Sequence, residues 1–181
     1  TAEGHLLALF IHTQIPAGRP LVETVLRVAE QGGLCVAAHP TARGVHSLSF
    51  ESVRRALQVP EVRSVLVGAE ALNSGLVDRH SNHNAQALAE EFDLAATGST
   101  DSHVIWTIGH AATEFPGRTS QDLRTALVER TTWPVFQTDW HSLPYYLSFI
   151  SRRLLRQLGW VTWTPEPNSP FVLQRLARVQ A

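Results

Sequence analysis

Leu94-Ala95-Ala96-Thr97-Gly98-Ser99-Thr100-Asp101-Ser102-His103 is the stretch that decides how this chain reads. A short apolar run leads through a glycine into a carboxylate and an imidazole two positions apart. On extended backbone those two side chains point the same way. A carboxylate and an imidazole sharing one face at a strand end make half of a metal site. A second such place lies upstream, where Leu34-Cys35-Val36-Ala37-Ala38 runs straight into His39-Pro40. Two apolar strands, each ending in a metal-type ligand, predict an enzyme whose site is built at the carboxyl edge of a parallel sheet.

Working outward, strands and helices alternate. Leu6–Ile11 reads as a buried strand and Pro16–Pro20 as a turn. Leu21–Glu30 has apolar residues at helical spacing and is stopped by Gly32-Gly33. Leu34–Ala38 is a strand. Phe50–Leu57 is a helix capped by Ser49, and Val62–Val67 is a strand leading into Gly68-Ala69-Glu70. Asn82–Phe92 is a helix, Leu94–Thr97 a strand, Ile108–Phe115 a further strand, and Ser120–Arg130 a helix with Ser120 near its cap. That order predicts parallel βαβ units. The strands are apolar throughout, as expected where helices cover both faces.

After Thr132 the composition changes. Trp133, Trp140, Trp160 and Trp163 alternate with prolines, and Tyr145–Leu158 reads as one amphipathic helix with Leu147, Ile150, Leu154 and Leu158 on one side. Residues 133–181 are therefore expected to be a Trp/Pro-rich extension packed on a core domain of residues 1–132. The apolar stripe is expected to rest on that domain or to mediate self-association.

Composition narrows the function classes. The chain has 181 residues and a net charge of −1, so bulk electrostatics give no reason to expect nucleic-acid or membrane binding. One cysteine, Cys35, excludes an intramolecular disulfide and sits in an apolar run as a small core residue. No apolar stretch is long enough for a bilayer and no signal peptide opens the chain. A cytoplasmic protein is expected. The chain starts at Thr1 and contains no methionine, from which a fragment or processed product is expected.

Nine histidines is a high number for this length. His5, His39, Asp101 and His103 flank predicted strands and are the candidate metal ligands, being of the types that hold Zn, Mn or Fe. Each has a plainer reading. His39 before Pro40 suits a hydrogen-bonded structural histidine, and Asp101-Ser102-His103 suits a helix cap. The pairing of the two at successive strand ends favours the metal. His12, His46, His80, His83 and His110 read as ordinary surface histidines.

The ordered set Glu3-Gly4-His5-Leu6-Leu7-Ala8-Leu9-Phe10-Ile11, Ile15-Pro16-Ala17-Gly18, Gln31-Gly32-Gly33-Leu34 leading to Ala37-Ala38-His39-Pro40, Gly98-Ser99-Thr100-Asp101-Ser102-His103 and Ile108-Gly109 resembles the PHP family, the polymerase and histidinol phosphatase domains. The resemblance covers Glu3 to Arg130. It implies an α/β fold made of parallel βα units of a distorted seven-stranded β/α barrel, truncated here at its amino end. It implies His5, His39, Asp101 and His103 as ligands of two or three divalent ions (Mn, Zn or Fe), Asp101 also as a catalytic group beside the nucleophilic water, and Arg43 as a contact for substrate phosphate. Glu70 and Asn73 match a Glu and an Asn of the family and line the mouth of the site or cap the next turn. The family's opening His-x-His strand and its glutamate before the Gly-His block have no counterpart in the chain, and Thr100 stands where the family more often has an aspartate.

The expected activity is hydrolysis of a phosphate ester by a metal-dependent phosphoesterase, incomplete in this chain, with a small phosphorylated substrate or nucleotide as partner. Two alternatives come from other classes: a non-catalytic PHP-like binding module using the tryptophan-rich tail, and a metal-dependent amidohydrolase that attacks a carbonyl.

Overall fold

The computed structural model describes residues 1–75, 79–103 and 105–137, together with Ser151 and Leu154. The chain divides into two compact units, Thr1–His141 and Ser142–Ala181. In the first, β1 (Leu6–Leu9), α1 (Leu21–Glu30), β2 (Leu34–Ala37), α2 (Phe50–Ala56), α3 (Pro60–Arg63), β3 (Leu66–Asn73), α4 (Arg79–Glu91), β4 (Ala95–Ser99), a 3-10 turn (Ile105–Thr107), β5 (Ala111–Glu114), α5 (Ser120–Glu129) and β6 (Trp133–Phe136) follow in order.

Four strands form one sheet in the order β1-β2-β3-β4, and β5 and β6 form a separate pair. β2, β3 and β4 are parallel, as the alternation of elements predicts. β1 is not: it runs antiparallel to β2, with Leu6 opposite Ala37 and Leu9 opposite Leu34. The loop from β1 to α1 and the helix itself return the chain to the edge at which β1 ends, so that β2 starts at Leu34 opposite Leu9. Among the described residues the strands make this open sheet and the antiparallel β5–β6 pair; a seven-stranded barrel is not what they form.

Both faces of the sheet are covered. Cys35 and Ala37 of β2 and Leu66 and Ala69 of β3 pack with Val25 and Val28 of α1, Val53 of α2, Val62 of α3 and Leu88 of α4. Leu34, Val36, Val67 and Ala95 face the other way, onto Leu127 and Leu123 of α5 and Phe10. β3 is buried at every position, the burial expected of a central parallel strand.

Local chemistry sets the element ends. Glu3 accepts the Leu21 N–H at 2.9 Å and so caps α1 through its side chain. Ser49 accepts the Ser52 N–H and closes a capping box on α2, as the sequence predicts. β1 stops at Leu9, before Phe10, whose φ of 60° leaves the extended region. Residues 62 and 63 belong to α3 and not to a strand, because Pro60 sits at the first helical turn and Val62 is drawn into the core. The strand expected from Ile108 begins only at Ala111, after Gly109 turns at φ +87°. Thr119, not Ser120, caps α5, and Arg130 ends it in the left-handed conformation.

Trp133 opens β6 rather than an extension. Its strand pairs with β5, the Trp133 indole N–H reaches Glu114 at 2.8 Å, and the Thr132 hydroxyl reaches the Ala96 carbonyl at 2.8 Å. The first unit accordingly runs past residue 132. In the second unit, Ser151 and Leu154 are helical and Leu154 is exposed. The rest of the expected 145–158 helix and its stripe lies outside the described residues. Among the described residues no helix is long and apolar enough to cross a membrane.

Candidate metal centre

The parallel strands β2, β3 and β4 deliver His39, Asn73 and Asp101 to one edge of the sheet. β1, being antiparallel, delivers its amino end to that same edge. His5 therefore sits beside His39, and the Ala38 N–H donates to the His5 carbonyl at 3.4 Å. His5 Nδ1 and His39 Nε2 lie 3.1 Å apart, with the rings nearly perpendicular.

His39 is 5 % exposed and held at three points. Its N–H donates to Glu70 Oε2 at 2.8 Å, its Nδ1 faces Ser47 Oγ at 3.1 Å, and its Nε2 faces His5. Glu70 is itself buried in β3, just before the register shift against β4 that lies between Glu70 and Leu72. Such irregularities re-aim side chains at strand ends. The Asn73 amide donates to the same Glu70 oxygen at 3.2 Å. Asn73 is fixed in turn by its N–H to Asn82 Oδ1 at 2.9 Å, while its own Oδ1 accepts the Gly75 N–H at 2.8 Å. Glu70 thus neither caps a turn nor stands loose at the mouth; it anchors the backbone of His39.

His5 is clasped by the 40–49 loop. Its N–H donates to the His46 carbonyl at 3.0 Å, and the His46 ring stands edge-on to it at 5.6 Å. Gly4 makes this possible: a Cβ there would lie 2.3 Å from the Leu48 nitrogen. Burial, then the neighbouring His39 and His46, hold the His5 imidazole below its ordinary pKa, against an opposing pull from the Asp101 carboxylate. A neutral imidazole is the form that ligates a metal.

Asp101 lies just beyond β4, half-buried, at φ 42°. It abuts Gly75, where a Cβ would meet Asp101 Cβ at 3.0 Å. His103 is exposed, and its Nδ1 faces the Asp101 carbonyl oxygen at 2.9 Å. Arg43 is exposed on the loop after His39. The structure therefore brings together His5 with His39, and His103 with the backbone of Asp101. Among the described residues no group of three or more His, Cys, Asp or Glu side chains is gathered closely enough to hold a metal ion.

The chemistry of the first pair fits a metal. Two ligands at ~2.05 Å on a tetrahedral ion stand about 3.3 Å apart, close to the observed 3.1 Å between the two nitrogens. Two side-chain hydroxyl oxygens at the same edge, Thr41 Oγ1 and Ser74 Oγ, are buried without a hydrogen-bond partner. A hollow of about 250 Å³ lined by Gln86, Glu90, Asp93, Arg130 and Pro134 lies at the opposite, amino end of β4 and has no part in this arrangement. The sequence reading missed Ser47, His46 and Asn82. His46 reads as a surface histidine because nothing local ties it to His5; the tie is made by the chain crossing at Gly4.

The family described as PHP-associated matches residues 79–132, which run from α4 through β4 and α5. The uncharacterized protein MJ0417 of Methanocaldococcus jannaschii is 31 % identical over 119 residues, 64 % of this chain and 48 % of that protein. The uncharacterized protein MJ1587 of the same organism is 45 % identical over 40 residues, 22 % of this chain and 23 % of that protein. The chain thus spans less than half the length of either. Among solved structures, PsfC from Pseudomonas syringae PB-5123 is 22 % identical with a TM-score of 0.57, covering 85 % of this chain and 63 % of that one, and so shares its fold. Asp101 and His103 fall inside the segment that matches the PHP-associated family.

Proposed function

We propose that this chain supplies part of the catalytic centre of a metal-dependent phosphoesterase acting on a small phosphate ester or nucleotide. The observation that supports it most is the His5–His39 pair, with converging nitrogens 3.1 Å apart and His39 anchored by Glu70. His5 and His39 would hold one divalent ion, and Asp101 and His103 are the candidates for a neighbouring one. When bound, such ions lower the pKa of water toward ~7 and neutralise charge on phosphoryl oxygens.

The chain's own residues do the rest. Glu70 and Asn73 keep His39 from moving when substrate arrives. Asp101, at the end of β4, is positioned at the sheet edge to orient an attacking water or accept its proton. Arg43, exposed on the loop that follows His39, contacts the substrate phosphate.

The test is metal content and phosphate release, measured on this chain and on the longest natural protein that contains it. Loading with Zn or Mn should leave bound metal that His39→Ala loses. Asp101→Asn should abolish hydrolysis of a chromogenic phosphate ester with the melting temperature unchanged, and Arg43→Ala should raise KM with kcat nearly kept. Near-normal turnover by Asp101→Asn would sink the assignment. The absence of a three-donor group among the described residues favours one other reading, a PHP-like module that binds a partner through the tryptophan-rich tail without catalysis. It predicts neither bound metal nor hydrolysis in either protein.

A further inference from the structure

We propose that Ser47 is the positioning residue that sets His39 in its metal-binding tautomer, and that Gly4 exists to let it do so. This rests on the metal-centre reading above and assigns a role to a loop that no motif marks. His39 has one ring nitrogen on each side of the question. Nε2 converges with His5 Nδ1, and Nδ1 faces Ser47 Oγ at 3.1 Å. For Nε2 to offer a lone pair, the proton must sit on Nδ1 and be donated to an acceptor. Ser47 Oγ is the acceptor in place. A ligating histidine nearly always donates its second N–H in this way, which fixes the ring and raises its basicity.

Ser47 is not delivered by a strand or helix. It belongs to the 40–49 loop, whose course is fixed by the Thr41 N–H to the Leu48 carbonyl at 2.8 Å, the His5 N–H to the His46 carbonyl at 3.0 Å, and Leu48, which is fully buried. The loop passes so close to Gly4 that a Cβ would stand 2.5 Å from the Ser47 carbonyl carbon. The same close pass brings His5 against His46. One missing side chain therefore permits both the ligand pair and its orienting hydroxyl.

The experiment uses the full chain and three proteins: wild type, Ser47→Ala and Ser47→Thr. Zinc titration by calorimetry should show Ser47→Ala binding about 10–100-fold more weakly, and Ser47→Thr, which keeps the hydroxyl, restoring affinity. Metal-free melting temperatures should agree across the three. Equal zinc affinity in wild type and Ser47→Ala overturns the proposal. A second measurement does not depend on metal binding at all. Long-range proton–nitrogen NMR of the metal-free chain should show one dominant His39 tautomer, protonated at Nδ1, in wild type and Ser47→Thr but not in Ser47→Ala. An unchanged tautomer in Ser47→Ala overturns the role of Ser47. A tautomer that shifts in Ser47→Ala, in a protein whose wild type binds no zinc, upholds Ser47 and overturns the metal centre instead.

Discussion

Gly4→Ala is expected to be among the costliest single-methyl additions in this chain. The new Cβ would lie 2.3 Å from the Leu48 nitrogen, 2.5 Å from the Ser47 carbonyl carbon and 2.9 Å from Leu48 Cα. All three are backbone atoms, so no side-chain rotation relieves the clash. Reaching an ordinary 3.4 Å contact from 2.3 Å takes a displacement of 1.1 Å. The atoms that must move carry Leu48, which is fully buried in the main core cluster. Overpacking of this kind costs about 1–3 kcal/mol. Loosening the backbone bond between Thr41 and Leu48 adds ~0.5–1.5 kcal/mol. A total near ~3 kcal/mol follows, and with a urea slope of ~2 kcal/mol/M the midpoint should fall by about 1.5 M.

The control is Gly44→Ala in the same loop. Gly44 has φ +76° and nothing within 4 Å of a built Cβ, so its cost is only the left-handed strain of about 1–2 kcal/mol. Equilibrium urea denaturation of the two variants separates steric from conformational effects. A Gly4→Ala protein no less stable than Gly44→Ala would refute the close crossing of residues 4 and 47–48, and with it the route by which Ser47 reaches His39.

Other outcomes follow from single contacts. Ser49→Ala removes the hydroxyl that accepts the Ser52 N–H at 3.1 Å and should cost about 1 kcal/mol in thermal or urea denaturation. Cys35 is fully buried, and burial pushes its thiol up to about 12, so a thiol reagent at pH 8 should label it only as fast as the chain unfolds. Rapid labelling of the native protein would contradict its placement in β2. The His5 imidazole is held below its ordinary 6.5, so below pH 6.5 the unfolded chain binds a proton that the folded chain refuses. Its effect on stability is therefore absent above pH 6.5 and destabilising as pH falls below it; His5→Gln should flatten that slope in urea titrations between pH 6.5 and 5. The Glu23 carboxylate, held low by hydrogen bonds from Arg27 and Arg19, acts in a separate window, its contribution being full above 4.5 and lost at lower pH.

What could be read from the sequence follows from how local each cause is. α1 was legible because Leu21, Val25 and Val28 repeat at helical spacing and two glycines follow. The carboxyl ends of β2 and β4 were legible because one apolar run leads straight into His39 and the other, through Gly98-Ser99-Thr100, into Asp101. The direction of β1 was not, because an apolar strand reads the same whichever way it pairs. The β6 strand was not, because Pro134 within it argues against a strand, and only its place in a two-stranded antiparallel pair with β5 accommodates it. Ser47 left no signal at all: its value comes from a crossing of residues 4 and 47 that no spacing encodes.

The reversal of β1 does more than alter the topology. In an all-parallel sheet the residue before β1 would lie at the amino edge, on the far side from His39 and Asp101. Antiparallel pairing of Leu6 with Ala37 is what allows a histidine that precedes a strand to meet one that follows a strand. The cost appears in the backbone at the same edge. His39, Thr41 and Asp101 all have positive φ, at 30°, 62° and 42°, conformations that cost non-glycine residues about 1–3 kcal/mol each and persist only where the surroundings over-determine them. His39 meets that condition, since Glu70 holds its N–H while Ser47 and His5 engage its two ring nitrogens. Strain concentrated on two candidate ligands, and held by contacts internal to the chain, is what a binding edge requires if its geometry is to be set before a ligand arrives.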